Sequence, residues 1–265
     1  MGSILAIVNQ KGGVGKTTTC VNLAAALAMN RRKVLLVDLD PQGNATVGSG
    51  VNKEDIRLTG YEVLMDQVSI REAIVRSEKG GFDVLPANSD LTAAEVALME
   101  ARGREQHLRR QLARVKPSYD YILIDCPPSL NILTLNALVA ADGVLIPVQC
   151  EYYALEGLTA LLNTIRRVQQ QANPELVIKG LLRTMYDPRN NLATQVGAQL
   201  LSHFPRQVYS TLIPRNVRLA EAPSHGQTAI QYDRYSRGSL AYMALASELM
   251  RRDMQAAKAT TPQTD

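Results

Sequence analysis

A chain of 265 residues, 46% hydrophobic and 20% charged, can build one large α/β core or two small ones, and it is not a disordered polymer. Its net charge of +4 is mildly basic, compatible with a polyanion partner without demanding one. No run of about 18 uninterrupted apolar residues exists, which excludes a membrane-spanning helix, and Cys20, Cys126 and Cys150 form no C-x-x-C pair or metal pattern, so they read as small core residues of a reducing compartment.

Residues 3–8 (SILAIV) read as a buried strand, followed by a glycine-rich loop and then KTTTCVNLAAALAMN, a helix packed on a sheet. No signal peptide is expected, because this strand and its loop come almost at once. Residues 33–37 form a second strand ending at Asp38, and 44–55 a loop with a short helix. Residues 82–87 are a strand closed by Pro86, and 90–115 are helical with a break expected at Gly103. Then come a strand at 119–125 stopped by Pro127 and Pro128, a helix at 129–141, a strand at 143–148 and a helix at 154–171. The apolar segment 176–184, a helix at 190–203, the segment QVYSTLIP at 207–214 and a helix at 236–257 complete the alternation. Strands that are continuous apolar runs between helices predict an α/β fold with a mostly parallel, doubly wound sheet covered on both faces. A single domain over 1–257 is expected, with a polar tail over 258–265. Ligands of such sheets sit beyond the carboxyl ends of the strands, where the three motifs below lie.

The first is GGVGKTT at 12–18, after a strand and opening a helix, the context a phosphate loop needs. Gly12, Gly13, Val14 and Gly15 can close backbone N–H groups around phosphate oxygens. Lys16 is expected to reach the β- and γ-phosphates, the Thr17 hydroxyl to ligate Mg²⁺, and Thr18 to contact the α-phosphate. The second is LLVDLDPQGN at 35–44, two carboxylates, Asp38 and Asp40, at a strand end; an acidic turn is the plainer reading. The third is YILIDCPPS at 121–129, an apolar strand ending in Asp125, whose carboxylate would hold Mg²⁺.

The strict phosphate-loop pattern would place its first glycine on Gln10; the form that fits is K-G-G-x-G-K-T, with an extra lysine at Lys11. In this the chain resembles the deviant Walker A group of P-loop ATPases, the ParA/MinD group. The resemblance implies ATP with Mg²⁺, and implies that Lys11 reaches across a nucleotide-sandwich homodimer to the partner's phosphates, the logic of a catalytic cation supplied in trans. It implies that Asp40 positions or activates the attacking water while Asp38 sits nearer Mg²⁺. It also matches Pro214 and Asn216 to adenine contacts; an ordinary proline turn is the alternative.

CEYYALEGL at 150–158 and NVRLAEAPSHG at 216–226 bring the whole chain close to the short chromosomal ParA/Soj type. That family implies non-specific double-stranded DNA, with Arg189 and Arg218 as DNA-binding residues, a ParB/Spo0J-like partner that stimulates hydrolysis, and a cytoplasmic, nucleoid-associated protein. Composition agrees: residues 183–252 carry nine arginines, no lysine and four acidic residues, and Arg189, Arg215 and Arg218 are expected in loops. With no Trp and two Phe, a base-stacking platform is not expected, which leaves phosphate contact. No helix-turn-helix is expected before the first strand. A MinD-like membrane switch fits poorly, because MRRDMQAAKATTPQTD lacks large apolar residues on one face. A positioning ATPase for a protein cargo stays open.

Overall fold

The structure is a computed structural model and describes residues 2–260. Among them seven strands form one sheet: β1 (Ser3–Ile7), β2 (Val34–Asp38), β3 (Val75–Ser77), β4 (Phe82–Leu85), β5 (Tyr121–Asp125), β6 (Gly143–Gln149) and β7 (Val177–Thr184). Their order is β3-β4-β2-β5-β1-β6-β7. All pairings in it are parallel except β3 with β4, an antiparallel edge.

The period-2 alternation of a strand divides β1 between two cores. Ile4 and Ala6 face a layer built with the helices Leu91–Glu100, His107–Ala113, Ile132–Ala140, Ala154–Gln171 and Asn191–His203. Leu5 and Ile7 face the other layer, with Leu23 and Leu27 of helix Lys16–Met29 and Tyr242, Leu245 and Leu249 of helix Arg237–Thr260. Each fully buried leucine of this kind contributes about 1.5–3 kcal/mol. The central strand β1 lies between β5 and β6, so the chain segments leaving these three strands converge above it, the place where an open parallel sheet takes its ligand.

The expected strands and long helices are present, with ends moved by one or a few residues. The 90–115 region is two helices, separated near Gly103 (φ 60°). Segment 207–214 is no strand of the sheet. It touches β7 by an isolated bridge at Leu181–Val208, and the segment just past β7 by another at Tyr186–Pro214. Between them the Ser210 and Thr211 amides donate to the Glu248 carboxylate (2.9 and 2.8 Å), so they are lost to a ladder. The last helix runs to Thr260, past its expected end; the polar tail's residues 261–265 lie outside the described residues. Among the described residues no helix is long and apolar enough to cross a membrane. The three cysteines are free and buried, as expected, and burial pushes their thiols up.

Candidate active site

The loop from β1 enters helix Lys16–Met29 through Gly13 (φ 74°) and Gly15 (φ 88°), left-handed positions that a side chain resists. Gly15 is the N-cap, no side chain caps the helix, and its first turn has no acidic residue. The first amides and the positive end of the helix dipole therefore lack the usual protein acceptor and suit an anion. Neighbouring strands fix the loop. Asn9 Nδ2 donates to the Pro147 carbonyl (2.7 Å), and Thr184 Oγ1 to that of Val14 (2.8 Å). Asn22 ties the helix from behind, donating to the Thr18 carbonyl and accepting from the Ala229 amide, both at 2.8 Å. Asn9, Asn22 and Thr184 went unread in the sequence. Asn22 had a signal, a polar residue inside the apolar stretch CVNLAAAL.

The two lysines occupy different environments. Lys16 is 7% exposed, and its ammonium donates to the Lys11 carbonyl at 3.3 Å. Burial lowers its pKa, with Asp125 the strongest opposing influence, so an anion at this ammonium offsets a cost already built in. The Lys11 ammonium instead sits on the rim, paired with Glu151 at 2.5 Å, the side chains 43% and 46% exposed.

Asp38 and Asp125 end adjacent strands in the same register and are fully buried. Asp38, expected close to the metal, already has both oxygens engaged: Oδ1 accepts from the Asp40 amide (3.1 Å), and Oδ2 from the amide and hydroxyl of Thr46 (2.8 Å each). Asp125 has no hydrogen-bond partner of ordinary geometry, although the Thr17 hydroxyl is near enough to act against the rise in its pKa. Burial first, and Asp38 second, push Asp125 well above the carboxylate range; burial pushes Asp38 up to about 6. An orphaned buried carboxylate beside a threonine hydroxyl fits a divalent cation. Mg²⁺ in such a site takes one or two protein ligands and shares the rest with substrate phosphates and water, a number that Thr17 and Asp125 can supply.

The carboxylates make a stability prediction for the nucleotide-free, Mg²⁺-free protein. Their folded pKa values are raised, so the fold favours their protonated forms. The stability these two groups contribute is fully present below the unfolded value near pH 4 and is lost as pH rises through the folded one, about 3 kcal/mol for Asp38 alone. Asp125→Asn removes the penalty that burial places on an ionisable carboxyl and should stabilise by about 1–3 kcal/mol near pH 8. Thermal unfolding in chelator from about pH 4 to about pH 8 measures this; a variant less stable than wild type at the alkaline end contradicts it.

Pro214 and Asn216 line a cavity of about 300 Å³ with Gly15, Thr18 and Thr184. Asn216 caps the helix Val217–Glu221 through its oxygen (Arg218 amide, 3.0 Å), which leaves its NH₂ as a donor. Tyr186–Pro214 bridging sets the Arg189 loop beside Arg215. Arg189 is 88% exposed and doubly bonded to Asp187, which its hydrogen bonds hold down to about 2. Arg218 lies on a helix rather than in a loop, paired with Glu221 (2.8 Å) and Asp233 (3.5 Å).

A parallel sheet with this loop, an uncapped helix and carboxylates at neighbouring strand ends defines a P-loop ATPase of the ParA/MinD type. A family model described as an AAA domain matches residues 2–178. The chain is 55% identical to the sporulation initiation inhibitor protein Soj of Bacillus subtilis, over 94% of this chain and 98% of Soj. It is 53% identical to the chromosome partitioning protein ParA of Myxococcus xanthus, over 96% and 89%. Among solved structures, cobyrinic acid a,c-diamide synthase from Mycobacterium smegmatis with bound ADP and magnesium superposes with a TM-score of 0.84 at 40% identity, over 97% of each chain. The chain belongs to the ParA/Soj family of chromosome-partitioning ATPases.

Proposed function

We propose that this ATPase is a dimerisation switch that binds duplex DNA without sequence preference in its ATP state and segregates DNA with a ParB-like partner, in the cytoplasm on the nucleoid. The observation that carries the reading is the division between the lysines. Lys16 is buried inside the loop, whereas Lys11 extends from the same loop onto the rim. Exposed Leu130, Tyr152 and Tyr153 add large apolar groups that a closing partner would cover.

Residues 11–18 receive the phosphates of ATP, with Lys16 on the β- and γ-phosphates and Thr18 on the α-phosphate. Pro214 and Asn216 take the adenine. Thr17 and Asp125 would hold Mg²⁺, with Asp38 shaping the segment alongside; when bound, the ion neutralises phosphate charge and orients the β- and γ-phosphates. Lys11 of each subunit completes the other's site. Asp40 orients water for conversion of ATP to ADP and phosphate, and loss of the γ-phosphate opens the dimer. Arg189, Arg215 and Arg218 meet DNA phosphates, doubled in number by dimerisation; the acidic partners of Arg189 and Arg218 are partly exposed, so these pairs are screened by water and can be exchanged for phosphate.

The test is binding to a random-sequence duplex without nucleotide, with ADP and with ATP–Mg²⁺, over a salt series. Binding is expected with ATP alone, falling steeply with salt by a log–log slope of about −0.9 per phosphate neutralised. Arg189→Glu with Arg218→Glu should still dimerise and should lose most of this affinity. Unchanged affinity would remove the patch from its role. No binding in any state would overturn the DNA reading and favour a protein cargo or, if liposomes sediment the protein with ATP, a membrane surface.

A further inference from the structure

Lys11 is tied down at three points. Its amide donates to Asn9 Oδ1 (3.0 Å), its carbonyl accepts from Lys16 Nζ (3.3 Å), and its ammonium pairs with Glu151 (2.5 Å). Glu151 stands just beyond the end of β6, the neighbour of the strand that feeds the loop. The turn that carries it is closed by two backbone bonds, Glu151 amide to Gln149 carbonyl (2.9 Å) and Ala154 amide to Glu151 carbonyl (3.0 Å). The carboxylate is thus held by a turn at a strand end, and it fixes the one lysine whose task lies on another subunit.

We propose that Glu151 is a positioning residue: it keeps Lys11 on its own subunit in the nucleotide-free monomer and yields it as the dimer closes. This rests on the dimer-switch reading above. Lys16 links the hold to nucleotide. Its ammonium bonds the Lys11 carbonyl at 3.3 Å; a phosphate would compete for that ammonium, so the Lys11 segment would lose one of its ties as ATP binds. Both members of the Lys11–Glu151 pair are nearly half exposed, so water and salt screen it and the hold is weak and reversible. A contact that opens and re-forms in every cycle needs that weakness; a buried pair would resist opening.

Sedimentation velocity with ATP–Mg²⁺ tests this, in an Asp40→Ala parent so that ATP persists, at low and high salt. Two pairs break per dimer, so Glu151→Gln should raise the dimer association constant roughly two- to tenfold at low salt. The gain should shrink at high salt. Glu151→Asp, which keeps the charge, should stay near the parent. Replacing Lys11 by alanine as well should erase the gain, and Glu151→Gln alone should leave the ATP affinity of the dilute monomer unchanged. A Glu151→Gln protein that dimerises no better than the parent, or gains equally without Lys11, overturns the proposal while the dimer-switch reading stands. A parent that stays monomeric with ATP removes that reading, and the inference with it.

Discussion

Lys16→Ala should abolish ATP turnover, by a factor on the order of 10²–10³ or more, the loss seen when one preorganised charge is removed from a reacting centre. It should also weaken ATP binding. Lys16 is buried, lowered in pKa by that burial, and bonded to nothing stronger than a carbonyl at 3.3 Å. An ammonium kept in that condition is a cost to the nucleotide-free fold, offset when an anion arrives. The variant should therefore be at least as stable as wild type without nucleotide while failing to gain stability from ATP. Thermal unfolding with and without ATP–Mg²⁺, beside a phosphate-release assay, separates lost function from lost structure. Turnover at the wild-type rate would sink the assignment of the loop.

The parts of this site that are contiguous in sequence were legible. A phosphate loop needs glycines, a lysine and a hydroxyl within eight residues, and its strand–loop–helix context can be read from apolar runs. What was not legible depends on contacts between distant segments. The Lys11–Glu151 pair spans 140 residues. That Asp38 is satisfied and Asp125 orphaned follows from the Thr46 side chain folding back onto Asp38, which no local pattern announces. Segment 207–214 had the composition of a strand, yet Glu248, on the last helix, took its central amides. Arg218 was expected in a loop because the surrounding prolines and alanines hide a helix of five residues capped by Asn216. Other features were legible and went unread. Thr59-x-x-Glu62 and Ser69-x-x-Glu72 are capping-box spellings, and both boxes open the short helices that lead into β3.

Asp40→Ala should bind ATP, dimerise and hold DNA, yet hydrolyse ATP about 10²–10⁴-fold more slowly, the range for removing a positioned acid–base group. The three carboxylates divide by environment. Asp38 is buried and accepts three hydrogen bonds, and Asp125 is buried with none of ordinary geometry. Asp40 is partly exposed, beyond the strand end, and accepts from the Gln42 amide (2.9 Å) through Oδ1. Its second oxygen has no such duty, so it is the carboxylate free to meet water. Its carbonyl also accepts from the Gly43 amide (2.8 Å), which makes a purely structural role in the turn the competing explanation. Asp40→Asn decides between them. Asparagine keeps the oxygen that holds Gln42 and keeps the turn, but it loses the charge. If Asp40 serves only the turn, the asparagine variant recovers turnover. If the carboxylate acts on water, it stays as slow as the alanine variant, and DNA complexes of both persist after free ATP is removed while wild-type complexes decay.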